Sequence, residues 1–73
     1  MICQQVRVRG LVQGVGFRPY VWRLARELAL AGWVRNDSEG VAIEVRGGAG
    51  AVADFLRRLP REIPPLARVD RVE

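Results

Sequence analysis

The fold is decided by the stretch Gly10-Leu11-Val12-Gln13-Gly14-Val15-Gly16-Phe17-Arg18-Pro19. A strand-like segment runs into it, and Gly14 and Gly16 tolerate backbone angles that a side chain would forbid. Pro19 suits the first turn of a helix, where its missing N–H would be unpaired anyway. The stretch therefore predicts a strand, a glycine-rich loop and a helix, in that order.

The same loop has the chemistry of a phosphate cradle. Its glycines let backbone N–H groups converge on one point, and the free amides at the start of the next helix face that point. The helix dipole favours negative charge there. Arg18 adds a planar guanidinium group, whose N–H donors can bind two phosphate oxygens at once.

Hydrophobic periodicity predicts the other elements. Apolar residues alternate with polar ones in strands and recur at three- and four-residue spacing in helices. We predict strands over residues 4–11, 33–36, 41–45 and 67–72, and helices over residues 19–30 and 51–59, with Gly32 ending the first helix. The order β-α-β-β-α-β predicts one α+β domain over residues 1–73, a ferredoxin-like sandwich. Its antiparallel sheet has strand order 4-1-3-2, and two helices cover one face.

This topology also places Asn36. A helical crossover joins the first two strands, so they run in the same direction and end at the same edge of the sheet. The glycine loop leaves the end of the first strand, and Asn36 stands at the end of the second. We expect the loop and Asn36 to lie at one rim.

Composition limits the chemistry. The 73 residues carry a net charge of +4, no histidine, no lysine and one cysteine, Cys3. A zinc site of the usual ligands, a Walker-type lysine and a histidine-activated Ser38 are therefore unavailable within the chain. No signal pattern or membrane-length apolar run is present, and a lone cysteine fits a reducing cytoplasm. An enzyme of this composition would bind and orient phosphate and water without metal or other cofactor.

Two long motifs carry a resemblance to a known family. Residues 8–18, and Gly32-Trp33-Val34-Arg35-Asn36 followed by Gly40 and Gly48, are similar to the two signatures of the acylphosphatase family. Ala42 departs from the second signature, which usually has valine there, and we expect a packing difference only. The resemblance implies hydrolysis of acyl phosphates, with Asn36 positioning the attacking water and Arg18 holding the phosphate bidentately. The implied phosphate-binding residues are Gln13, Gly14, Val15, Gly16, Phe17 and Arg18.

Elementary chemistry agrees with these roles. In-line displacement at phosphorus needs its equatorial oxygens held and its nucleophile aligned. An acyl phosphate has a good leaving group, so a strong protein base is unnecessary. The substrate's own phosphate could accept the proton of the water. Inorganic phosphate or sulfate would occupy the same loop.

A finer resemblance points to one branch of the family. Arg18-Pro19-Tyr20, the turn over residues 36–40 and the segment over residues 64–69 are similar to the N-terminal domain of hydrogenase-maturation carbamoyltransferases (HypF). This implies carbamoyl phosphate as substrate and further domains of a larger protein as partners. The chain stops at Glu73, before the last strand that acylphosphatases usually carry. We expect either an excised or truncated domain, or a fourth strand left as a less protected edge.

Other interpretations stay open. The loop could be a structural turn, and Asn36 a turn-former. The chain could be a non-catalytic carbamoyl-phosphate-binding or structural domain. Its pI near 11 also fits a small RNA-binding module, although residues 6–10 and 41–46 carry no aromatic on which a base could stack.

Other notable side chains are expected to have a structural role and not a functional one. We expect Phe17, Trp33 and Phe55 to be core residues. Asp37, Ser38 and Glu39 are expected to form a solvated hairpin tip, and Arg35 to be a solvated surface residue.

Overall fold

A computed structural model describes all residues, 1–73. Six elements follow one another in the predicted order β-α-β-β-α-β. They are β1 (Ile2–Leu11), α1 (Phe17–Glu27), β2 (Ala31–Asp37), β3 (Gly40–Gly47), α2 (Ala49–Arg58) and β4 (Arg68–Val72). No helix is long and apolar enough to cross a membrane.

The four strands form one antiparallel sheet with the order β2-β3-β1-β4. This confirms the predicted 4-1-3-2 arrangement. Because β1 and β2 both pair antiparallel with β3, they run in the same direction on either side of it. The register sets Val8, Val41 and Asn36 in one row across three strands. This register fixes where β2 ends, along the strand direction, relative to the end of β1.

The core lies between the sheet and the two helices. Phe17 and Phe55 are buried in it, as expected, and Phe17 packs edge-on against Tyr20 with ring centroids 5.5 Å apart. The Tyr20 hydroxyl donates to the carbonyl of Leu59 at 2.8 Å, which ties α1 to the end of α2. Burial raises the pKa of Tyr20 to about 12. Fourteen residues form the buried cluster: Val6, Val8, Val12, Phe17, Tyr20, Val21, Leu24, Leu30, Val41, Ile43, Val45, Val52, Phe55 and Leu59.

The end of α1 differs from the prediction. Gly32 does not terminate it; the helix stops at Glu27, and Gly32 lies inside β2. Ala29 takes the left-handed backbone conformation (φ 56°) instead of a glycine. The amide of Leu30 donates to the carbonyl of Ala25 at 2.9 Å, the bond of a Schellman ending. Burial of Leu30 beneath this turn holds the alanine in its unusual conformation.

Other element bounds also shift. α1 begins at Phe17, two residues before the predicted start, so Pro19 stands third in its first turn. β3 extends two residues beyond the predicted end at residue 45, because Gly47 still pairs with Ile2. α2 starts at Ala49, and Gly50 lies within it. Gly50 stands second in α2, in the first turn, where the backbone amides have no intrahelical acceptor.

Trp33 is not a core residue. Its side chain is 41% exposed, so the expectation from its size was wrong. Trp33 alternates with half-buried Val34 along β2 and faces the side of the sheet that no helix covers. The exposed Arg35 guanidinium lies 4.9 Å from the centre of its ring. We call this uncovered side the open face.

Candidate phosphate-binding site

Residues 12–16 form the loop between β1 and α1. Gly14 has φ 73° and Gly16 has φ 77°, both in the left-handed region that favours glycine. Gly16 caps α1 without a side-chain hydrogen bond, so nothing at that position covers the first amides of the helix. A Cβ atom at either glycine would meet no other heavy atom within 4 Å. The backbone is therefore exposed on the side where these side chains would project.

A concavity of about 230 Å³ opens at this loop. The concavity lies between the loop, the first turn of α1 and the end of β2. The topology predicted that the glycine loop and Asn36 would meet at this edge of the sheet. Its lining residues are Val12, Gly14, Gly16, Phe17, Arg18, Pro19 and Asn36. Five of the seven predicted site residues are thus brought together. Gln13 and Val15 do not line it.

The two polar side chains of this concavity have no partners within the chain. The Arg18 guanidinium makes no hydrogen bond or ion pair, and the Asn36 amide makes no hydrogen bond. Both residues are exposed. Arg18 is the only charged residue in the lining, so the concavity has positive character and free donors. This arrangement can bind an oxyanion and orient one further polar molecule.

Gln13 contributes through its side chain in a way that the sequence did not indicate. Its Nε2 donates to the backbone carbonyl of Asp37 at 2.8 Å and to that of Gly40 at 3.2 Å. These two residues form the last pair of the β2–β3 hairpin. The Gln13 amide therefore links the glycine loop to the hairpin beside Asn36. Nothing local marks a partner that lies 24 residues away.

Asp37 is not part of a solvated tip, contrary to expectation, whereas Ser38 and Glu39 are exposed. Arg7 Nη1 donates to both carboxylate oxygens of Asp37 at 2.8 Å, and the Glu39 amide donates to Oδ1 at 2.8 Å. The hydrogen bond from Arg7 holds the pKa of Asp37 below its usual range. Strand alternation offered a signal for this pair, because it places Arg7 and Asp37 on the open face with opposite charges.

The acylphosphatase family model matches residues 4–73. The chain belongs to the acylphosphatase family. Among solved structures of the family, the acylphosphatase from Bacillus subtilis is 35% identical and superposes with a TM-score of 0.93 over the whole of this chain and 81% of the other. The shared fold includes the four-stranded sheet and both helices.

Family members that are much longer also match. Carbamoyltransferase HypF2 from Cupriavidus necator is 65% identical over 68 residues, which are 93% of this chain and 8% of that protein. The crystal structure of full-length HypF in its phosphate- and nucleotide-bound form has a TM-score of 0.91 and 36% identity, over 100% of this chain and 10% of that one. The chain thus spans about a tenth of the HypF proteins that it matches. It is similar to their acylphosphatase-like domain.

Proposed function

We propose that this domain hydrolyses acyl phosphates, with carbamoyl phosphate as the substrate, as the acylphosphatase-like domain of a hydrogenase-maturation carbamoyltransferase. One observation carries the proposal: a single concavity unites a left-handed glycine loop, an unpaired arginine and an unpaired asparagine. The names of its relatives support the substrate class. We also propose that the domain is cytoplasmic and acts beside further domains of a larger carbamoyltransferase.

The chemistry needs few groups. Arg18 and the loop amides hold the oxygens of the phosphate, and the Asn36 side chain aligns a water in line with the bond that breaks. The water oxygen forms a bond to phosphorus while the bond from phosphorus to the acyl oxygen breaks. A phosphate oxygen takes the proton of the water, so the products are carbamic or carboxylic acid and inorganic phosphate. We propose that neither metal nor cofactor takes part.

Turnover tests this proposal directly. The purified domain is incubated with acetyl, benzoyl and carbamoyl phosphate in the presence of a chelator, and phosphate release is measured. We expect release above the uncatalysed rate, competitive inhibition by inorganic phosphate or sulfate, and preference for carbamoyl phosphate. Equal rates with all three substrates would refute the specificity while leaving the acylphosphatase activity intact.

Three variants separate binding from turnover. Arg18→Ala should abolish phosphate binding, because no other charged side chain lines the concavity. Arg18→Lys should largely fail as well, since an ammonium cannot span two oxygens. Asn36→Ala should retain phosphate binding and lose most turnover. Arg23→Ala is the matched control, because Arg23 is exposed on the same helix and lies outside the concavity.

Two other functions correspond to distinct results of the same assays. A non-catalytic binding or structural domain is favoured by the small share of the HypF chains that this domain spans. Such a domain would bind phosphate or no ligand at all, and it would hydrolyse none of the three acyl phosphates. An RNA-binding module would bind single-stranded RNA at physiological ionic strength without inhibition by phosphate. We expect RNA to compete poorly, and inert salt to weaken substrate affinity only modestly.

A further inference from the structure

The end of β2 is anchored from the open face of the sheet. Arg7 lies in β1 and Asp37 in β2, with β3 between them. Ala42 of β3 pairs with Arg7 on one side and Arg35 on the other. Because alanine is small, the Arg7 side chain can pass across β3 and reach Asp37, where both carboxylate oxygens accept at 2.8 Å. The departure from the family signature at Ala42 thus lies on the path of this contact.

A second anchor reaches the same end of β2 from the glycine loop. Gln13 Nε2 donates to the carbonyls of Asp37 and Gly40, at 2.8 and 3.2 Å. Arg7 therefore holds the side chain of Asp37, and Gln13 holds its backbone. β2 is an edge strand paired only with β3, so these contacts supply restraints that the sheet lacks on its other side.

Asn36 directly precedes this doubly anchored residue. Its own side chain makes no hydrogen bond, and it lines the concavity at α1. The position of the Asn36 amide is thus set by the backbone of β2 and by what holds that backbone in place. Asp37, the next residue along β2, has its side chain held by Arg7 of β1.

We propose that Arg7 and Gln13 are positioning residues that clamp Asp37 from two sides and thereby fix Asn36 against the glycine loop. This inference rests on the proposed function for the role of Asn36 in turnover. Displacement of a catalytic group by about 1 Å can cost roughly a hundredfold in rate. Loosening the clamp should therefore slow the chemical step and leave phosphate binding intact, since Arg18 and the loop amides are untouched.

The first test compares Arg7→Gln and Asp37→Asn with Arg46→Gln. Arg46 is also on the open face, in β3, and its only ion pair is with Glu44 at 3.7 Å. We expect kcat to fall roughly ten- to a hundredfold in the first two variants, with KM and the inhibition constant of phosphate changed by less than about twofold. The double variant should be no slower than either single one, because Arg7 acts through Asp37. Arg46→Gln should match the wild type.

The second test does not depend on activity. Asn36 is the only asparagine in the chain, so selective ¹⁵N-asparagine labelling gives one backbone amide signal and one pair of side-chain NH2 signals. We expect relaxation measurements to show greater motion at Asn36 in Arg7→Gln than in the wild type, and no change in Arg46→Gln. Arg7→Lys, which keeps the charge but replaces the guanidinium whose Nη1 reaches both oxygens of Asp37 with a compact ammonium, should give an intermediate result and serves as the readout if Arg7→Gln does not fold.

The results distinguish the two hypotheses. Unchanged Asn36 dynamics in the Arg7 variants would overturn the clamp, as would a loss of phosphate affinity that matches the loss of kcat. A wild-type domain that binds inorganic phosphate but hydrolyses no acyl phosphate would refute the proposed function instead. The labelling experiment alone would then decide whether Arg7 positions Asn36.

Discussion

The left-handed backbone at Gly16 should have a measurable cost when alanine replaces the glycine. Gly16 and Gly48 occupy the same position in two helices, since each is the N-cap, with no side-chain cap, of α1 or α2. A Cβ at either would meet no heavy atom within 4 Å. They differ in backbone conformation, with φ 77° at Gly16 and φ −65° at Gly48. The pair Gly16→Ala and Gly48→Ala therefore isolates the effect of positive φ.

The magnitude follows from that difference. Alanine in the left-handed region costs about 1–2 kcal/mol. Both substitutions also lose the glycine N-cap and restrict the unfolded chain by about 0.4–1 kcal/mol, terms common to the two variants. Gly16→Ala should thus be less stable than Gly48→Ala by about 1–2 kcal/mol. For a domain of this size, that corresponds to a Tm lower by roughly 4–16 °C.

Urea and thermal denaturation followed by far-ultraviolet circular dichroism measure both variants against the wild type. Gly48→Ala should lie within about 0.5 kcal/mol of the wild type, because its entropic gain and capping loss nearly cancel. Equal stabilities for the two variants would refute the reasoning. They would mean that residue 16 does not hold a left-handed conformation in solution.

Four further outcomes follow from buried and paired groups. Tyr20→Phe leaves the Leu59 carbonyl without its donor, so the free energy of unfolding in urea should fall by about 1–3 kcal/mol. The Tyr20 pKa of about 12 exceeds its ordinary value of 10.0. The neutral phenol should therefore stabilise the fold fully below pH 10 and lose that contribution as the pH rises towards 12. An ultraviolet titration that yields a normal pKa for Tyr20 would contradict its burial. Arg7 lowers the pKa of Asp37 below 3.8, so stability should fall as pH drops through that region, and Asp37→Asn should flatten this acid limb in pH-dependent melts. Phe55→Ala empties a fully buried site and should cost about 3–5 kcal/mol in chemical denaturation, and a loss below 1 kcal/mol would show that the core collapses around it.

Periodicity and turn chemistry were sufficient to predict the order of the elements and the sheet topology. The alternation of Val6 and Val8 gives β1 its buried face, and the helical spacing of Val21 and Leu24 gives the buried stripe of α1. The position of β1 inside the sheet follows from the order of the elements. The helix end was missed, because Ala29 adopts a conformation that its residue type disfavours. That conformation depends on burial of Leu30, which is a tertiary effect.

The candidate site was predicted unevenly for a similar reason. Gly14 and Gly16 were found because positive φ selects glycine locally, and Asn36 because the crossover rule fixes strand direction. The hydrogen bonds of Gln13 and Arg7 join segments 24 to 30 residues apart. Strand alternation places Arg7 and Asp37 on the same face, but which residues meet depends on the register of three strands, which no local pattern encodes. Trp33 was misassigned because size predicts burial only when the covered face of the strand is known.

β3 lies between β1 and β2, and this arrangement governs when the concavity can exist during folding. The loop and Asn36 belong to strands that never touch, separated by two strand spacings, or roughly 9–10 Å. The glycine loop and Asn36 cannot come together in the concavity until β3, residues 40–47, has paired with both β1 and β2. Under the proposed mechanism, turnover needs both the loop and Asn36, so it should appear only in chains in which β1, β3 and β2 are already paired. In a refolding experiment, the appearance of acyl phosphate hydrolysis would report the insertion of β3.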